Sequence, residues 1–328
     1  MKKITLFLSL FIITTLACDL SVTVASPTST AVLPTNTTLP ASSETAQVPA
    51  SATPVAATSA PTIIPSIVPA TATRVPATTA PIPTTVEVRP PAGGVEVGVD
   101  PLRVFLSSEL ASGARGIQIP RADGPNTAPW DVTPGHTQLK LEGYLLQARA
   151  HQPQIYVYPA QGYAELLPGA FESIHRLNNI QGNPAAPISS GQLPVVPFFN
   201  AQQAFASNIQ VISFQNGRGV RFLTEYAQYP VSANNHDLFY HFQGVTNDGA
   251  YYVIAILPIS SPVLAETSDG GAVLPGGGVA YPDINDPNAN WQAYYSAVTA
   301  LLNAATPESF TPTIHQLDLL IHSMLVTP

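Results

Sequence analysis

Apolar and polar positions change rhythm along this chain. Residues 4–16 form a predominantly apolar, uncharged run behind Met1-Lys2-Lys3. From Asp19 to about Ala92 no helical or strand period is present, and Phe11 and Phe105 bracket a stretch without aromatic residues. Patterned segments begin after Gly93-Gly94 and continue to the C-terminus. Leu102–Leu106, Gly116–Ile119 and Gln154–Tyr158 read as short strands, while Gln138–Tyr144 alternates polar and apolar and is expected to have one solvated face. Phe171, Ile174 and Leu177 fall at helical spacing within Pro168–Gln181, and the Pro/Gly-rich Asn183–Pro197 follows as a loop.

The strongest pattern lies between Asn208 and Ser260. Ile209–Gln215, Val220–Tyr229, Asp237–Val245 and Tyr251–Leu257 are β-rich runs on short connections. Asn216-Gly217 is the pair that a type I′ hairpin requires, because both central residues take positive φ, and Asn247-Asp248-Gly249 marks a second hairpin. Four such strands predict an antiparallel meander. Beyond a glycine-rich, acidic loop at Glu266–Asn290, Trp291, Tyr294, Tyr295, Val298, Leu301 and Leu302 form a helical stripe, with Asp286-Pro287 as its expected start. Thr311-Pro312 is expected to open a last helix with Ile314, Leu317, Ile321 and Met324 facing the core. The expected fold is α+β, a twisted antiparallel sheet with helices packed on one face, formed by residues 95–328 as a single domain. A meander followed by a C-terminal amphipathic helix is similar to PsbP-like domains, a likeness of fold that implies no activity.

The front end has a different meaning. The apolar run is too short for a span of about 20 residues but has the length and cationic flank of a signal-peptide core. It ends in Thr15-Leu16-Ala17-Cys18. This resembles the lipobox of bacterial lipoproteins, with Thr15 where leucine is commonest and Leu16 where Ala or Ser is commonest. The resemblance implies removal of residues 1–17, lipidation of Cys18, and attachment to membrane lipid on the extracytoplasmic side, at the cell surface or periplasmic face. Cys18 is the single cysteine, so an internal disulfide is excluded. Residues 18–94, rich in Thr, Pro, Ala and Ser, then read as a disordered tether with polyproline character, able to reach about 200 Å if fully extended.

Composition narrows the partners. The formal net charge is -8 and only 10% of residues are charged. A nucleic-acid partner is excluded as an expectation, since phosphate neutralisation needs a concentrated basic surface. No nucleophile elbow, zinc-protease helix, phosphate loop or dinucleotide fingerprint occurs, and neither a cofactor nor a metal is expected.

Candidate chemistry is sparse. His315, Asp318 and His322 share one helix face, opposite the apolar stripe, where a solvated face is the simpler reading. His236, Asp237 and His241 sit at the start of a strand, with the two histidines five residues apart and so on opposite faces. Asp283–Asn290 is dense in the oxygen donors calcium prefers but is explained by capping and turn propensity. Arg218, Arg221 and Glu225 on one strand pair either hold an anion or form an exposed cross-strand ion pair. The domain is also rich in tyrosine. Arg221, Glu225, Tyr226, Tyr240 and Tyr252 are therefore the expected binding residues, on the condition that they line a common cleft. The functional expectation is a non-catalytic lipoprotein domain that binds an envelope glycan or a protein. The alternatives are an extracytoplasmic hydrolase of a wall or extracellular substrate, and a structural spacer of the envelope.

Overall fold

The computed structural model describes residues 94–327, apart from 184, 185 and 198. The signal stretch, Cys18 and the tether up to residue 93 lie outside the described residues. The elements are β1 (Gly94–Val99), β2 (Leu102–Ser107), β3 (Gly113–Ile119), β4 (His136–Glu142), β5 (Gln154–Pro159), α1 (Ala160–Leu166), α2 (Pro168–Gly182), β6 (Gln202–Phe214), β7 (Gly217–Ala227), β8 (Phe239–Thr246), β9 (Tyr251–Pro258), α3 (Trp291–Ala304), α4 (Ile314–His322) and β10 (Leu325–Val326). Seven strands form one antiparallel sheet in the order β3-β4-β5-β9-β8-β7-β6, and β1-β2-β10 form a smaller one. The predicted meander is β6 to β9, and α1 and α2 are inserted between β5 and β6.

The α+β class and the antiparallel sheet are as the pattern predicts, but the helices divide between both faces of the large sheet. Tyr294, Val298 and Leu302 of α3 and Ile314, Leu317 and Ile321 of α4 pack with Leu223, Tyr240, Phe242 and Val253. Tyr163 of α1 and Ala170 and Leu177 of α2 pack with Val220, Phe222, Phe239 and Tyr252. Residues on alternate sides of β7, β8 and β9 therefore enter different cores. This is why β8 is buried at every position and shows no polar alternation. The small sheet closes the first core: α4 packs against both β6 and β2, and Ser323 Oγ accepts the Phe105 amide at 3.0 Å.

Local starts differ from the sequence reading in informative ways. In α2 the buried stripe is Ala170, Ser173, Leu177 and Ile180, while Phe171 is 62% exposed. Small residues lie against the sheet there, and Ser173 Oγ accepts the Val195 amide at 3.0 Å. The first meander turn is Gln215-Asn216, and neither of these nor Gly217 has positive φ, so the type I′ turn is not formed. Gly217 instead pairs with Phe214, and a Cβ on it would lie 2.0 Å from the phenyl ring, so glycine makes room for the aromatic. The start of α3 is capped by Asn290, whose side chain accepts from the Ala293 amide at 2.9 Å, and Asp286 belongs to the preceding loop. The last helix is capped by Thr313 in a reciprocal box with Gln316, one residue beyond Pro312.

Candidate functional site

The residues expected to bind do not share a surface. Arg221, Glu225 and Tyr240 face the core under α3 and α4, while Tyr226 and Tyr252 face the core under α1 and α2. Arg221 is 5% exposed and Glu225 1%, so the exposed cross-strand ion pair is not formed. The physical reason is that the side of β7 carrying them is a second core rather than solvent.

Arg221 is held entirely by protein groups. Its Nε donates to Asp318 Oδ1 at 3.3 Å and one Nη to Gln210 Oε1 at 2.7 Å, and the other Nη donates to the Asn208 carbonyl. Asn208 sits at a register shift of β6 with φ +51°, a bulge that turns its carbonyl toward the guanidinium. Asp318 also accepts the Tyr240 hydroxyl at 2.8 Å. Asp318 therefore lies toward the sheet and not on a solvated face with His315, which is exposed. Glu225 accepts the Asn234 amide at 2.7 Å through one oxygen, the other has no partner, and burial pushes its pKa well above the ordinary range.

The remaining candidates do not converge. His322 donates to the Ser213 carbonyl at 2.6 Å. His236 pairs with Asp237 at 2.8 Å, whereas His241 is fully buried among Phe222 and Phe239, with its pKa pushed down to about 3 by burial. Asp283 and Asp286 accept from the amides of Asn285 and Asn288 in their own loop. Among the described residues no group of three or more His, Cys, Asp and Glu is placed to hold a metal.

Among the described residues, two of the surface clefts gather polar side chains. One, of about 530 Å³, lies between the end of α2 and the β8–β9 turn and contains a single charged side chain, Arg218. The other, of about 410 Å³, lies between the β3–β4 edge and the loop from Gly143 to Pro153, and it gathers Arg115, Lys140 and Arg149 with Glu142 and His151. The polar side of β4 is not solvated along its length as alternation predicts, since His136 and Gln138 are buried and only Lys140 and Glu142 open toward the surface; register sets Arg115 directly opposite Lys140.

The loop that closes this second cleft is fixed at several points. Gly143 has φ +60°, and a Cβ there would meet Ser112 Oγ at 2.2 Å. Tyr144 turns inward and donates to the Pro258 carbonyl at 2.8 Å. Ala148 adopts φ +55°, a left-handed conformation uncommon outside glycine. It precedes Arg149, whose side chain is 12% exposed. One Arg149 Nη donates to Glu266, and its Nε is enclosed without a hydrogen-bond partner. His151 packs its ring 4.4 Å from Phe239, and burial lowers its pKa.

The sequence reading missed Arg149, Lys140 and Arg115 as a group. Their only legible signal is the polar side of β4, because the turn at Ala148 that brings Arg149 inward has no sequence signature. No known protein family, curated protein or solved structure matches this chain.

Proposed function

We propose that this chain is an exported lipoprotein, anchored to membrane lipid through Cys18, that displays a non-catalytic binding domain on a Thr/Pro-rich tether. The observation that carries the anchor is the cationic start, the short apolar run and Thr15-Leu16-Ala17-Cys18 with its single cysteine. Among the described residues no helix is long and apolar enough to cross a membrane, which leaves attachment to the N-terminal segment in this reading. Support for binding comes from the cleft at Lys140 and Arg149, where three cationic side chains, Arg115, Lys140 and Arg149, meet in a concave site.

Expression of the full chain with labelled palmitate tests the anchor. The wild type takes up label and fractionates with membranes, and Cys18→Ser abolishes the label and releases the protein. A wild type without label, or a serine variant still held by the membrane, overturns the anchor.

A further inference from the structure

We propose that the cleft between the β3–β4 edge and the 143–153 loop binds a singly charged oxyanion, a carboxylate or phosphodiester group, through Arg149 and Lys140, with Arg115 at the rim. This rests on the reading of the domain as a binding module and gives that module a ligand chemistry.

The charges are arranged against the stability of the empty site. Arg115 and Lys140 are direct antiparallel partners, and like charges directly opposite one another are destabilising. Lys140 makes no ion pair among the described residues, and its partner on the other side is neutral Gln154. Arg115 reaches Glu142 at 3.5 Å, with both side chains more than half exposed, a geometry of little energetic weight. An anion between Arg115 and Lys140 turns a repulsive pair into an attractive triad.

Arg149 supplies directional recognition. A guanidinium presents donors in a planar fork that matches two oxygens of a carboxylate or phosphate. Here Glu266 takes one Nη and Nε is enclosed, while the second Nη has no hydrogen-bond partner among the described residues and is not enclosed. An acceptor entering the cleft can take that second Nη, a charged donor that the fold leaves without a partner. The contact with Glu266 holds the guanidinium at the cleft before any ligand arrives.

Charge balance selects the class of anion. Arg115, Lys140 and Arg149 face Glu142 within the cleft and Glu266 at its edge, leaving an excess of one positive charge. That excess fits a monoanion, as found in acidic sugars and in phosphodiesters, better than a phosphate dianion. The two sources share the recognised group, so the test carries both.

Calorimetric titration of the full chain with glucuronate, with glycerophosphoglycerol and with neutral glucose tests the site. Saturable binding of either anion without binding of glucose supports it, and the ratio of the two affinities assigns the source. Lys140→Gln and Arg149→Gln are each expected to weaken binding about tenfold, the loss of one charged hydrogen bond. Arg149→Lys, which keeps the charge and loses the fork, falls between wild type and Arg149→Gln. Arg218→Gln in the other cleft leaves binding unchanged, and the melting temperature of each variant certifies its folding. Absence of saturable binding, equal binding of glucose, or equal weakening by Arg218→Gln overturns the proposal. Palmitate labelling that persists while anion binding is absent separates failure of this site from failure of the anchor.

Discussion

Arg221 and Arg149 are the same side chain in two contrasting situations. Arg221 lies beneath α4 with Asp318, Gln210 and a bulge carbonyl accepting its protons. Arg149 lies in an open cleft with one acceptor and an enclosed nitrogen that has none. A guanidinium whose three nitrogens each have an acceptor in the fold is a fastener, whereas one with an Nη left without an acceptor at a cleft is equipped for a ligand. Burial alone does not distinguish them, since both are largely covered; the inventory of partners does.

The contrast can be broken most severely at Arg221. Arg221→Ala leaves the Asp318 carboxylate under α4 without its cation and is expected to destabilise the fold by about 3–5 kcal/mol. Urea unfolding reads this as a lower midpoint at unchanged slope, and a loss under about 1 kcal/mol would place Arg221 among the ordinary surface ion pairs.

A second contrast concerns titratable groups on the two faces of the sheet. His241, on the α1/α2 side, is held to about 3 by burial, so as pH falls below about 6.5 the unfolded chain takes up its proton first and stability is lost. Glu225, on the α3/α4 side, is shifted upward by burial, so as pH rises above about 4.5 the unfolded chain ionises first and stability is lost until the folded carboxyl also ionises. Each limb has a slope of about 1.4 kcal/mol per pH unit, and between these limits the two oppose each other. Urea midpoints measured across pH are expected to show a plateau near pH 4.5–6.5. His136 and His151, also lowered by burial, steepen the acid side. Glu225→Gln should flatten the alkaline limb and leave the acid one. An alkaline limb unchanged in that variant would remove Glu225 from the account.

Smaller effects are expected in the cleft. Arg149→Gln should change stability by about 1 kcal/mol or less, because one of its donors is already unused. Lys140→Gln relieves the opposition with Arg115 and is expected to stabilise the ligand-free protein by a few tenths of a kcal/mol, read as a slightly higher melting temperature. A gain of stability together with a loss of anion binding is the mark of a residue kept for function.

The parts legible in the sequence were those set by local chemistry. Periodicity identifies the meander, α2 and the stripe of α4, and alternation on β4 identifies the side that carries Lys140. What sequence could not give depends on the topology of coverage. β7 alternates like a half-solvated strand, yet helices cover both its sides, which turns Arg221 and Glu225 from expected ligands into core groups. The Asn-Gly pair suggests a positive-φ turn, but the contact of Gly217 with Phe214 moves the turn back by one residue. Strands β1 and β10 are short and poorly patterned, and their pairing with β2 depends on contacts remote in sequence. The cleft needs a left-handed alanine and a cross-strand register, neither of which composition records.

The central claim, that Arg149 is open to a ligand while Arg221 is committed to the fold, is tested most directly by their Nε–H resonances in ¹⁵N-labelled full-length protein, assigned with Arg149→Gln and Arg221→Lys. Titration with glucuronate and with glycerophosphoglycerol is predicted to move the Arg149 resonance saturably with at least one of them and to leave that of Arg221 in place. An Arg149 resonance unmoved by both anions, or one that moves no more than that of Arg221, would contradict the account.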